Sequence, residues 1–166
     1  MKLLLTISLF ILSLFSQDSY FLPDEYDDTI HHLTKKINNA EKSIFILTDN
    51  FNHYKIKKSL IKAAKRGVHI KLISAHNDEK EQLELYKNIE TYLLKPIQSP
   101  LLDGKIAITL IIIDNKIICK LSTALETAQM KHNIDIFTCK DDKEFIDKID
   151  HTLTILMKRS KAYLEN

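Results

Sequence analysis

Glycine is scarce in this chain of 166 residues: only Gly67 and Gly104 occur. A phosphate-cradling loop built on clustered glycines is therefore excluded. Cysteine is as rare. Cys119 and Cys139 alone would make a poor zinc site, and no His/Asp/Glu set falls at metal-ligand spacing. Charge of one sign is lacking too. Against 24 basic residues stand 22 acidic ones, a net +2, so the whole chain carries no nucleic-acid footprint, and only a local basic face could supply one. No internal repeat is present.

Long apolar runs are missing except at the start. "MKLLLTISLFILSLFSQDSY" has one Lys, an apolar run from Leu3 to Phe15 and then polar residues, the pattern of a secretory signal peptide. As a helix the run would reach about 20 Å, short of the ~30 Å bilayer core. Ser16 suits the last position before cleavage, but Leu14 is larger than the small residue expected two places earlier. Residues 1–18 thus read as a signal peptide or a retained N-terminal membrane tether, with a buried helix as the other reading. No Cys follows the run, so a cysteine-linked lipid anchor is not offered. The remaining 19–166 suit one domain with a substantial core.

What is present alternates. "YFLP" suits a short strand, and Pro23 with Asp24 opens a helix whose Tyr26, Ile30, Leu33 and Ile37 share one face. "SIFILTD" is a buried strand. "YKIKKSLIKAAKRG" is a helix with Ile56, Leu60 and Ala64 inward, stopped by Gly67, and "VHIKLIS" is the next strand. "NDEKEQLELYKNIETYL" reads as a third helix burying Leu83, Tyr86, Ile89 and Leu93. Pro96 and Pro100 bracket a loop. "KIAITLIIIDNKIICKLSTA" gives two strands joined at Asp114-Asn115, "NIDIFTC" another, and a long helix closes the chain with Phe145, Ile149, Leu153 and Leu156 on one side. This order predicts a layered α/β/α domain with a mixed, partly parallel sheet.

Two stretches carry a resemblance: "INNAEKSIFILTDNF" and "IKKSLIKAAKRGVHIKLIS". The Ala-x-x-Ser-Ile step into a strand, the Arg-Gly-Val step out of a helix, the "IIIDN" strand end and Asn133-x-Asp135 together resemble the phospholipase D superfamily. The nearest likeness is to its small exported nucleases with one motif per chain, and it covers the sequence from about Tyr20 into the last helix. That family's signature is His-x-Lys-x4-Asp followed by Gly-Ser-x-Asn. It implies a histidine nucleophile, a second histidine as acid, and a lysine, asparagine and serine around the phosphoryl oxygens. It also implies an aspartate orienting the histidine, no metal or other cofactor, and a homodimer whose interface is the active site.

Laid on the signature without gaps, this chain keeps little of it. Asp114 takes the aspartate position, but Ala107 stands for the histidine and Thr109 for the lysine. Leu121 replaces the glycine, Ser122 matches, and Ala124 replaces the asparagine. Asn133 matches and Asp135 stands for a glutamate. Asp114 then reads as the survivor of a catalytic set. A methyl group cannot attack phosphorus, and losing the nucleophile of a concerted set costs on the order of 10⁴–10⁶ in rate.

The resemblance with these losses implies a catalytically inactive, exported binding or assembly module, periplasmic or anchored facing the periplasm. It would form a homodimer, or pair with a related subunit, across the vestigial site. The alternatives are an active phosphodiesterase using rearranged or partner-supplied residues, and a structural envelope protein in which Ala107, Leu121 and Ala124 simply pack. For weak phosphate, nucleic-acid or phospholipid contact the candidates are Lys57, Lys58, Lys62, Lys65 and Arg66, with Lys55 and Tyr54 beside them. The other reading of that helix is a solvated amphipathic face. Lys105, Lys116 and Lys120 could add a cationic rim. His53 and His76 follow strands and suit a capping or surface role or catalysis, whereas His31 and His32 splay apart on a helix. Cys119 and Cys139 form a disulfide if their strands are neighbours, or are two buried small side chains.

Overall fold

The computed structural model describes residues 18–77, 80–94, 98–99, 102–103, 106–159 and 161–162. The leader, Gly104, Lys105, Pro96 and Pro100 lie outside them, so the expectations placed on those positions do too.

Strand β1 (Asp18–Leu22) leads into helix α1 (Tyr26–Asn38), then β2 (Ser43–Asn52), α2 (Tyr54–Lys65) and β3 (His69–Asn77). A single helical turn α3 (Lys80–Leu83) precedes β4 (Ile89–Leu93). The short pieces β5 (Gln98–Ser99) and β6 (Leu102–Asp103) pair with each other. The hairpin β7 (Thr109–Ile113) and β8 (Ile117–Leu121) follows, then β9 (Leu125–Glu126), α4 (Thr127–His132), β10 (Asp135–Asp141), α5 (Lys143–Arg159) and β11 (Lys161–Ala162).

Among the described residues one mixed sheet runs β1-β10-β8-β7-β2-β3-β4-β11, with β9 joining the end of β2. The ladders β2–β3, β3–β4 and β2–β9 are parallel, and the others are antiparallel. Alternation along the strands splits the core in two. Ile44, Ile46, Ile70, Leu72, Ile111 and Ile113 face α1 and α2, whose Ile30, Leu33, Ile37, Ile56 and Leu60 they bury. Leu47, Ile73, Leu110, Ile112 and Ile118 face Ile146 and Leu153 of α5 on the other side. The layered α/β/α fold follows.

The third helix is a correction. Leu83 is buried in α3, but the chain leaves the helix there, and Ile89 and Thr91 are buried on a strand. Parallel pairing with β3, Ile70 opposite Ile89 through Ser74 opposite Leu93, satisfies the backbone of this segment. The β-branched pair Ile89 and Thr91 suits a strand, and the exposed edge of β3 outweighed the helical spacing of Leu83, Tyr86 and Ile89. Gly67 ends α2 as expected, with a φ of 95° that L side chains rarely adopt.

The two cysteines stand opposite each other on β8 and β10 and form a disulfide within the first core. Of the two sequence readings, the structure decides for the bridge.

Candidate functional site

The C-terminal ends of β2 and β3, the start of β7 and the turn after β8 converge at one end of the sheet. Antiparallel pairing of β2 with β7 places Leu47 opposite Leu110, so Thr48 and Thr109 become neighbours although 61 residues separate them. Their hydroxyls lie 2.9 Å apart, and the Thr109 Oγ1 also donates to the Thr123 carbonyl at 2.7 Å. The Thr48 hydroxyl accepts from the Leu125 amide at 3.1 Å, which docks β9 against β2. Thr48 and Thr109 are both buried.

The turn after β8 is shaped by a carboxylate. Asp135 accepts from the Ser122 amide at 2.8 Å, the Thr123 amide at 2.7 Å and the Ser122 hydroxyl at 2.7 Å. Three donors converging on one carboxylate fix the loop that presents residues 122–124. Ala124 and Leu121 are buried, whereas Ala107 is exposed. Asn133 caps α4 through its amide, which donates to the Gln129 carbonyl at 2.9 Å, and is itself exposed.

Beside this loop stands a polar set that sequence reasoning missed. Glu126 accepts from Gln129 Nε2 at 2.9 Å and from Asn50 Nδ2 at 3.4 Å, and Gln129 Oε1 accepts from the Ala124 amide at 3.3 Å. Asn50 pairs in register with His76, an exposed imidazole at the end of β3. The buried hydroxyls of Ser74 and Thr123 have no hydrogen-bond partner among the described residues. The one sequence signal for the set was the polar end of the β2 run, Thr48 to Asn50.

Asp114 is not at this end. It closes the β7–β8 hairpin, five residues beyond Thr109 and about 16 Å away along the strand. Asp114 and Asn115 have φ of 54° and 53°, the paired positive values of a type I′ hairpin turn. Its carboxylate accepts from the amides of Glu41, Lys42 and Ser43 at 2.7–3.2 Å, tying the hairpin to the entry of β2. Burial raises its pKa, but the three amides outweigh that and hold it below 3.8. The expectation that it orients a group at position 107 is corrected: its carboxylate serves the hairpin turn, with the strand β7 between the two.

His53 caps α2 and is buried, so the capping reading holds and the surface reading does not. Its Nδ1 accepts from the Ile56 amide at 3.4 Å, which leaves the proton on Nε2 to donate to the Tyr26 hydroxyl at 3.0 Å. Burial first, with Lys55 and Lys131 adding to it, lowers its pKa to about 4.

The basic candidates separate. Lys57 is buried and donates to Gln82 Oε1 at 2.9 Å, and Arg66 donates to the Ile37 and Ala40 carbonyls at 3.3 and 3.1 Å, closing the end of α1. Lys57 is held inside by that bond, whereas the exposed Arg66, the C-cap of α2, is held by two carbonyls. Lys55, Lys58, Lys62 and Lys65 are exposed, at spacings of three, four and three residues that put them on one face of α2. Lys58 and Lys62 carry no ion pair with a described residue, Lys65 lies 5.7 Å over the Tyr86 ring, and Lys55 is 3.5 Å from Asp27. The expected rim is corrected as well. Lys120 lies 3.6 Å over the Phe145 ring, and Lys116 pairs with Asp141 at 3.0 Å near the hairpin turn.

A mixed sheet flanked by helices on both faces, with a hydroxyl-lined end where β2, β7 and the β8 turn meet, defines a layered α/β/α domain. The chain belongs to the phospholipase D-like family: residues 33–156 match the family described as cardiolipin synthase, PLD-like domain. Among solved structures it is similar to NucT from Helicobacter pylori, with a TM-score of 0.81 at 23% identity, over 90% of this chain and 99% of that one. It is also similar to Nuc from Salmonella typhimurium, a phospholipase D family member, with a TM-score of 0.68 at 17% identity, over 90% and 98% of the two chains. TrmBL2, described as an archaeal chromatin protein with a novel mode of DNA binding, matches with a TM-score of 0.58 at 13% identity, over 86% and 53%. No curated protein matches the chain. These likenesses share the fold.

Proposed function

We propose that this chain is a non-cleaving member of the phospholipase D-like family that is exported and holds phosphodiester polymers by charge. One observation carries the reading. The histidine position of the family motif is an exposed methyl, Ala107, and the lysine position is Thr109, whose hydroxyl is already engaged by Thr48 and the Thr123 carbonyl. The methyl cannot attack phosphorus, and the engaged hydroxyl cannot supply the fixed positive charge of a lysine. The lysine row of α2 supports the binding half. Lys55 to Lys65 spans about 15 Å of helix with cations every turn, a pitch suited to successive phosphates. The Cys119–Cys139 bridge supports an oxidising compartment.

The test is cleavage of bis-p-nitrophenyl phosphate and of DNA in EDTA, alongside DNA retention at graded salt. The expected result is no turnover, with retention that falls about 50-fold between 50 and 200 mM salt if four phosphates are neutralised on a single strand. Replacing Lys55, Lys58, Lys62 and Lys65 by glutamine should remove that dependence.

A second reading is an active phosphodiesterase whose nucleophile comes from a partner chain across this end of the sheet. The retained frame favours it: Ser122 and Asp135 are bonded to each other in the turn after β8. Wild-type turnover in EDTA, abolished by a point change at His76 or in the partner, would establish it and overturn the first.

A further inference from the structure

Phe21, Ile134 and Ile136 are 59%, 92% and 50% exposed, three large apolar side chains in one place. Phe21 and Ile136 are directly paired across the β1–β10 ladder, and Ile134 stands two residues before Ile136. Alternation explains the exposure. Leu22, Phe137 and Cys139 point into the core beneath α1, so Phe21 and Ile136 point out of the opposite face. On that face α5 covers Leu110, Ile112 and Ile118 of β7 and β8, but β1 and β10 contribute nothing to its cluster. Isolated exposed apolar residues need no account, but a contiguous group on an edge strand does.

The sequence immediately before β1 indicates the occupant. The apolar run Leu3 to Phe15 is followed by only Ser16 and Gln17 before β1 begins at Asp18. Phe21 lies three strand residues further on, about 10 Å along β1. A chain whose leader is retained in a membrane therefore carries this face at the membrane surface, where a second contact becomes intramolecular. Exposed Lys131 and His132 precede Ile134 and suit a headgroup layer. Three side chains fall well short of the roughly 20–30 residues a side that a stable protein interface uses. They are enough to enter the outer 5–10 Å or so of a bilayer, the depth that interfacial segments reach.

We propose that the face of β1 and β10 bearing Phe21, Ile134 and Ile136 rests on a phospholipid bilayer beside the N-terminal apolar segment. This does not depend on whether the sheet end cleaves or only binds phosphodiesters.

The chain contains no tryptophan, so a single introduced indole reports without background. Full-length Phe21→Trp, Ile136→Trp and, as a distant control, Leu85→Trp are mixed with phosphatidylcholine–phosphatidylglycerol vesicles carrying brominated acyl chains. Leu85 is 80% exposed in the turn after α3. The expected result is a blue-shifted emission and several-fold loss of intensity at 21 and 136 but not at 85. Vesicle-bound chain quenched equally at all three positions overturns the proposal, because the leader alone would then hold it. So does a failure to bind vesicles, and so does a blue shift that grows with protein concentration without lipid, which would assign the face to a second copy.

Discussion

Asp114 and His53 are both titratable side chains satisfied by backbone amides, and each makes a stability prediction with a definite sign. Asp114 holds three amides of the β2 entry, so Asp114→Ala should cost about 1–3 kcal/mol in urea unfolding at pH 7. Its folded pKa lies below 3.8, so the unfolded chain binds the proton first as pH falls. Its contribution is complete above that value and is lost as pH drops through the folded pKa. The mutant and the wild type should therefore converge in strong acid.

His53 works from the other direction. Its ordinary value is 6.5 and its folded value about 4, so between those limits the unfolded chain takes up a proton that the buried imidazole refuses. Stability from this group is full above pH 6.5 and declines toward pH 4, by roughly 3 kcal/mol at most. His53→Asn retains a capping acceptor and removes the titration. Denaturation midpoints of that variant should change less between pH 7 and 4.5 than those of the wild type. An equal slope would place the acid sensitivity elsewhere.

At the scale of elements, the β8–β10 ladder joins the parts of the candidate site. It carries Ser122 at one strand's end and Asp135 at the other's start, bonded to each other, and the disulfide crosses the same ladder a few residues further along in the core. A bridge with a sequence separation of 20 removes about 3 kcal/mol of unfolded-state freedom by the chain-entropy model. Reduction, or Cys119→Ala with Cys139→Ala, should lower the thermal midpoint by about 6–12 °C, read by circular dichroism with and without reductant. An unchanged midpoint would mean that strand pairing alone fixes the ladder. The β3–α3–β4 segment shows the limit of periodicity. Leu83, Tyr86 and Ile89 fit a helical face, yet the edge of β3 offered hydrogen bonds along a whole strand, and the helix stopped after one turn.

For the whole molecule, restoring the family motif tests both the fold assignment and the loss of chemistry. Ala107→His and Ala124→Asn alter one exposed and one buried position at the same sheet end, whereas Thr109→Lys breaks two buried hydroxyl contacts. Leu121→Gly removes a buried side chain from the first core and should cost about 3–5 kcal/mol. The variant combining all four is expected to gain metal-independent phosphodiesterase turnover while unfolding at lower denaturant. Ala107→His with Thr109→Lys alone keeps the test meaningful if the fuller variant does not fold. Turnover already present in wild type would remove the premise.

The layered architecture was legible from the chain because two periodicities, near 3.6 and near 2, alternate along it and leave few ways to bury both kinds of apolar face. What the chain could not show was distance in space. Thr109 and Asp114 are close in sequence but sit at opposite ends of a strand. Thr48 and Glu126 are far apart in sequence, yet antiparallel and parallel pairing with β2 bring them to one end. The pairing of the cysteines, the burial of Lys57, and the uncovered face of β1 and β10 were likewise decided only in the folded sheet. Each depends on which neighbour satisfies a backbone or covers an apolar side chain, and that neighbour is chosen by the whole chain at once.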